Sequence, residues 1–383
     1  MEGKIINHCP YVIGIIAGSS HEIGGVEKHI LSLVSYSKRE HFCFVVFGPS
    51  TLVQAVRGLG LENVKALEWE LRTKWDLYMA LCLRNMLQAN NVGLLHIHDA
   101  RSGLIGRLVA KLLGIPVVYT VHLPPYYYTT GVKDLVYKVV EGLLNRWFTD
   151  RVIYVSHKVR EEALRFGVTP KGRSVVIENG IDLQAYNKAI DRVAIREALN
   201  TPVSVTVFCF VGRFTEQKGI DILLRALLKM RDRFALFRVW LVGEGPLQTQ
   251  LEQCVAKEGL EKVVQFLGYR EDIPAVLRAS DVFVLPSRYE AMPMSLLEAM
   301  ASGLPCVVSD VGDNARLVED GVTGFVVPPE DPDTLAEAMR KMLANPDIRR
   351  TMGEAAHRKA QQYSVERMVA RVTEVYESPL RAC

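Results

Sequence analysis

The sequence predicts an α/β protein built from two doubly wound domains facing a cleft. Short apolar runs, fit for buried parallel strands, alternate with stretches of helical periodicity along the chain. That alternation loses its regularity over residues 182–202, where polar and helical character mix, and restarts at Val203. A chain of 383 residues also exceeds what one ordinary core accommodates, so two domains are the default. The boundaries read this way are 1–185 and 200–360, with a helical piece over 361–383.

Composition narrows the class. Apolar content of 49% and charged content of 23% are ordinary for a globular protein. A net charge of only +3 argues against nucleic acid as a partner. Seven scattered cysteines without a C-x-x-C pair read as buried thiols in a reducing compartment. The stretch from Met1 to Cys9 carries Glu2 and Lys4 and lacks the apolar centre of a signal peptide. No apolar run approaches the roughly 20 residues that span a bilayer. The expectation is a cytoplasmic protein whose membrane contact, if any, is peripheral on the inner face.

In the first half, Tyr11 to Ala17 is a continuous apolar strand. The loop Gly18 to Gly25 then feeds a helix, Val26 to Tyr36, so backbone there can approach a phosphate or sugar closely. It lacks the G-x-G-x-x-G order, which disfavours a dinucleotide site. Phe42 to Phe47 is a second strand and Leu94 to His98 a third. His96 and His98 share a strand face, but no third ligand lies nearby, so no metal is expected. Gly114 to His122 is the next strand, with His122 at the carboxyl end, where open parallel sheets place ligands. Tyr126 to Trp147 mixes aromatics with Lys133, Lys138 and Arg146. That composition suits a membrane surface or an acceptor, and equally a packed helix with a solvated face. Strands near Val152 and Val175 close this half.

In the second half, Val203 to Val211 opens a new sheet. Gly212, Arg213 and Lys218 follow, and Ile220, Leu223, Leu224 and Leu227 form one helical face. Lys218 thus sits at a helix N-terminus, the wrong end for a cation. A bound diphosphate would reconcile Arg213, Lys218 and the helix N–H groups. Phe237 to Val242 and Val263 to Gly268 are further strands, the latter leading into Tyr269 and Arg270. Asp281 to Leu285 is a strand, and Leu296, Leu297 and Met300 lie at helical spacing beyond it. Between them, Glu290 lies in the loop, Pro293 in the first helical turn and Glu298 in the early helix, with Gly303 ending it. Free N–H groups near Met294 to Leu296 make an anion seat. Asp331-Pro332-Asp333 reads as a helix cap rather than a metal motif. Val365 to Tyr376 is a last amphipathic helix.

Glu290 and Glu298 resemble the E-x7-E signature of the family-4 glycosyltransferases, retaining enzymes of the GT-B fold with two Rossmann-like domains. Arg213 and Lys218 resemble the family's diphosphate clamp, Gly24 and Gly25 its first donor-side loop, and His122 the histidine that touches the donor sugar. The similarity covers nearly the whole chain and is strongest from Gly212 to Pro328. Asp313 and Arg316 depart from the usual glycine and glutamate.

The resemblance implies an N-terminal acceptor domain, a C-terminal nucleotide-sugar domain and a C-terminal helix returning to the first. It implies a metal-independent hexosyltransferase of polysaccharide or glycolipid synthesis. The enzyme would move a hexose from a UDP- or GDP-linked donor to a hydroxyl of a glycan, lipid-linked or small-molecule acceptor, with retention and without a cofactor. His122 and Glu290 would hold the sugar, lined by the backbone from Met292 through Pro293 to Met294, with Ser295 also among the donor-binding residues. Glu298 would take the ribose hydroxyls, and Tyr269 and Arg270 would lie beside the base. Another GT-B reaction (a phosphorylase or an epimerase) and a non-catalytic sugar-nucleotide module remain as alternatives.

Overall fold

The computed structural model describes residues 10–18, 23–38, 41–71 and 76–380. The readings of Met1 to Cys9 and of the middle of the Gly18–Gly25 loop fall outside these. The chain divides into two compact units, one of residues 1–180 with 365–383, the other of 181–364.

Strands of the first unit are β1 (Tyr11–Ile16), β2 (Phe42–Gly48), β3 (Val64–Glu68), β4 (Leu94–Ile97), β5 (Val117–Val121), β6 (Arg151–Tyr154) and β7 (Ser174–Val176). Among the described residues they form one parallel sheet in the order β3-β2-β1-β4-β5-β6-β7. β1, β2, β4 and β5 are buried on both faces apart from the first residue of β1, as their unbroken apolar runs require. β3 was not anticipated. It is the edge strand and buries only Ala66, so it carries little apolar signal.

The C-terminal helix, Val365–Leu380, belongs to this unit and buries Val365, Met368, Val369, Val372 and Tyr376. These join Ile30, Leu33, Phe42 and Phe44 in one core. The Tyr376 hydroxyl lies 2.6 Å from Nδ1 of His96, whose Nε2 lies 2.7 Å from Oγ1 of Thr120. His96 is therefore a packed, doubly hydrogen-bonded residue.

The second unit holds β8 (Thr206–Val211), β9 (Phe237–Val242), β10 (Val264–Gly268), β11 (Val282–Leu285), β12 (Cys306–Ser309) and β13 (Gly324–Val327). These too are all parallel, ordered β10-β9-β8-β11-β12-β13. Each sheet reverses its winding once, between β1 and β4 and between β8 and β11, and crevices at such switch points are where ligands of open α/β sheets bind. Both units are Rossmann-like. Residues 182–202 are not a free linker. They form helices Leu183–Asn187 and Arg192–Ala198, which pack on the Ile273–Ala279 helix of the second unit. Arg196 there is buried and held by Asp281 at 2.6 Å.

Asp331 caps the Pro332–Ala344 helix through the N–H groups of Asp333 and Thr334. Cys82, Cys209, Cys254 and Cys306 are free thiols, but Cys43 is disulfide-bonded, against the reading of all cysteines as thiols. No helix among the described residues is long and apolar enough to cross a membrane.

Candidate functional site

At the β8/β11 switch point the second unit gathers a compact charged group. Lys218 Nζ lies 2.6 Å from Oε1 of Glu290, and both side chains are largely buried. Glu290 also accepts from Ser287 Oγ at 2.8 Å and from Gln217 Nε2 at 3.4 Å. Lys218 ends a short 3-10 turn, Glu216–Lys218, one residue before the Ile220–Leu228 helix. Its unfavourable place at that helix start is thus compensated by a carboxylate from the loop after β11.

Two glycines press that loop into position. Gly219 has φ +64°, and a Cβ on it would lie 2.1 Å from the Pro286 carbonyl oxygen. Gly312 has φ +53°, and its Cβ would lie 2.2 Å from the Glu290 carbonyl oxygen. Neither approach leaves room for a side chain. Beside Gly312, the Asp313 N–H donates to the Ala291 carbonyl at 2.9 Å.

Pro293 is the N-cap of the Met294–Ala301 helix, one residue earlier than the sequence reading placed it. It offers no side-chain cap, so the first-turn N–H groups of Met294 to Leu296 receive none and keep the character of an anion seat. Met292 and Pro293 are buried, while Met294 and Ser295 are partly exposed. Glu298, 3% exposed, shares a hydrogen bond with Tyr186. Burial, with the Glu298 carboxylate beside it, holds the Tyr186 phenol protonated, so the phenol donates. Arg213 is exposed just past β8. Tyr269 is 57% exposed after β10, and Arg270 is tied to Asp272 at 2.7 Å.

In the first unit, the β1/β4 switch point is closed by the Gly18 N–H donating to Asp99 at 2.8 Å. Gly24 caps the Gly25–Tyr36 helix, and its N–H is taken by Glu27 at 2.9 Å. His122 follows β5 immediately, with Nε2 3.1 Å from Nδ1 of His98. The expectation that no third imidazole lies near His98 is overturned. His29, from the first helix, packs its ring 4.9 Å from that of His122 and 5.4 Å from that of His98. Asn179 Oδ1 accepts from His29 Nδ1 at 3.0 Å. Burial pushes His29 down to about 4 and, with the neighbouring rings, holds His98 and His122 well below the usual histidine range, so all three are neutral at pH 7.

His29, Asn179, Ser287, Gln217 and Tyr186 were not singled out from sequence. Ser287 stands three residues before Glu290, a spacing suited to such a bond, and His29 lies one position before Ile30 on the buried helix face. Tyr186 lay in a stretch read as a connection and carried no signal.

Comparison with known proteins shows the family to which the chain belongs. Residues 23–185 match the family described as Glycosyltransferase Family 4, and residues 191–359 that described as Glycosyl transferases group 1. The chain is 34% identical over 271 residues to the UDP-Gal:alpha-D-GlcNAc-diphosphoundecaprenol alpha-1,3-galactosyltransferase of Escherichia coli, covering 69% of this chain and 70% of the relative. It is 26% identical to the D-inositol 3-phosphate glycosyltransferase of Streptomyces avermitilis, over 94% of this chain and 84% of that one. The crystal structure of Anabaena HepE in complex with UDP-glucose superposes with a TM-score of 0.84 at 23% identity, covering 96% of this chain and 99% of that one. The two matched families and the galactosyltransferase relative show that the chain belongs to the family-4 glycosyltransferases, and the structural likeness shows a GT-B-type fold.

Proposed function

We propose that this glycosyltransferase moves a hexose from a nucleoside-diphosphate sugar to an acceptor hydroxyl with retention of configuration, using neither metal nor cofactor. The observation that carries this reading is the Lys218–Glu290 pair at the β8/β11 switch point, next to a helix start without a side-chain cap. The leaving group is a diphosphate, so catalysis consists mainly of stabilising developing negative charge. Arg213, Lys218 and the N–H groups of Met294 to Leu296 supply that stabilisation. Lys218 is shared. As the diphosphate draws its ammonium, the Glu290 carboxylate gains free lone pairs for sugar hydroxyls. Met292, Pro293, Met294 and Ser295 line the sugar, Glu298 accepts from the ribose with Tyr186 fixing its carboxylate, and Tyr269 and Arg270 flank the base. In the first unit, His122 serves the sugar and the backbone at Gly24 and Gly25 the donor.

UDP-linked hexoses are the first donors to test, because the Escherichia coli relative is named for UDP-Gal and HepE was crystallised with UDP-glucose. A lipid-linked acceptor is supported by that same relative's name and by the Val132–Trp147 helix. Val132, Leu135, Val139, Leu143 and Trp147 recur at helical spacing along it, and all are exposed. Lys133 and Arg146 lie on the same helix, an arrangement suited to an anionic bilayer surface. Flotation with anionic vesicles tests this: a Leu135→Glu, Leu143→Glu double variant should stay at the bottom of the gradient while wild type floats.

The deciding experiment is a thermal-shift panel with UDP, GDP and ADP, followed by transfer assays in chelator. A ligand at 100 times its Kd adds about 2.7 kcal/mol. UDP should raise Tm, and Glu298→Ala should weaken that binding about 10- to 100-fold through loss of charged hydrogen bonds. His122→Ala should chiefly lower transfer. An axial donor should give an axial product by NMR, at an undiminished rate in chelator. No shift with any nucleotide would overturn the reading, and an equatorial product would overturn retention.

A further inference from the structure

We propose that His29, His98 and His122 form a binding site for a zinc-class divalent cation, which when occupied takes His122 out of service. The three residues come from separate places, the first helix and the ends of β4 and β5, yet one ring nitrogen of each lies within 4.8 Å of those of the other two. A tetrahedral zinc with nitrogens at its usual distance sets them about 3.4 Å apart. The His98–His122 pair already stands at 3.1 Å. The gap left to the His29 nitrogen is at most about 1.4 Å, within reach of a small side-chain adjustment that keeps Nδ1 on Asn179.

Two further observations separate this cluster from a hydrogen-bonded histidine core. Nε2 of His29 is buried with no hydrogen-bond partner, although the residue is only 1% exposed. An unpaired buried polar atom costs about 1–3 kcal/mol, so something must favour such an arrangement. Moreover, the amide oxygen of Asn179 can only accept from His29 Nδ1, so that nitrogen carries the proton and Nε2 presents a lone pair. An orienting carbonyl on the far nitrogen is the second-shell device of metal-bound histidines. By contrast, His96 has both nitrogens satisfied and is not a ligand. His122 is the partly exposed member, so the fourth coordination position opens on its side. Three neutral imidazoles suit zinc, cobalt, nickel or copper rather than magnesium or calcium.

Binding of the cation stands independently of the transfer reaction; its inhibitory effect rests on the role proposed for His122. The test uses the full chain without a histidine tag, stripped by chelator. Titration with Co2+ should produce the visible bands of a tetrahedral site at one equivalent, which Zn2+ then abolishes. His29→Gln should lose the bands, and Asn179→Leu should weaken binding about 10- to 100-fold. Melting curves in chelator confirm that both variants fold. Absence of the bands in wild type, or their persistence in His29→Gln, overturns the site. In parallel, Zn2+ should suppress transfer by wild type, whereas whatever activity His29→Gln retains should be insensitive to it. Stoichiometric binding without suppression upholds the site and overturns the sugar contact of His122 instead.

Discussion

Lys218 stands at a helix start that repels it, and Glu290 compensates from 72 positions further along the chain. The conflict was legible in the sequence, because the helix boundary and the lysine are local. Its resolution was not, because nothing in the spacing of Lys218 and Glu290 announces that β8 and β11 are neighbours. The same holds for His29 and Asn179, 150 positions apart. Breaking a buried pair leaves the other charge uncompensated, so Lys218→Met should lower stability by about 3–5 kcal/mol by urea denaturation. The Lys218→Met, Glu290→Gln double variant should recover part of that loss. The histidines predict a pH dependence. Neutral burial of His29 depresses its folded value to about 4 against 6.5 in the unfolded chain, so the unfolded chain binds more protons between these limits. In chelator its contribution should be complete above pH 6.5 and be lost as pH falls towards 4. The loss from His29 is on the order of 3 kcal/mol. His29→Gln should flatten that slope.

At the scale of elements, most strands were legible because parallel strands covered on both sides read as unbroken apolar runs. β3 was not, since an edge strand with one buried residue looks like loop. The helix Val132–Trp147 shows a different limit. Its mixture of aromatic and basic residues was visible as composition, but neither the exposed apolar stripe nor what holds the other face was. Arg107, fully buried, pairs with Glu141 at 2.9 Å and reaches Asn145 at 3.2 Å, while its guanidinium lies 4.0 Å above the Tyr119 ring. That anchor leaves the stripe outward. Arg107→Ala should cost about 3–5 kcal/mol in chemical denaturation through the orphaned Glu141. The C-terminal helix was read as amphipathic and the resemblance implied its return to the first unit, but the particular His96–Tyr376 contact was not legible. Met368→Ala in its core face should cost about 2–5 kcal/mol, measured by the urea midpoint.

On the scale of the whole molecule, the two units are not equal in continuity. The second is one uninterrupted segment, whereas the first takes its last helix from the far end of the chain. Val365, Met368, Val369, Val372 and Tyr376 are all nearly or fully buried by it. Burial of such side chains contributes roughly 1.5–3 kcal/mol each. Their sum is comparable to the entire stability of an ordinary domain, about 5–15 kcal/mol. A chain ending at Ser364 should therefore lose protease resistance in its first unit while the second stays intact, as limited proteolysis with mass spectrometry would show.

The same arrangement bears on biosynthesis. The first unit emerges from the ribosome early but cannot close its core until residues 181–364 have been made and the final helix has cleared the exit tunnel. At about 5–20 residues per second, that interval lasts roughly 10 to 40 seconds. For that time Ile30, Leu33, Phe42 and Phe44 face solvent or a chaperone, and the second unit, complete at Ser364, is free to fold before the first can close.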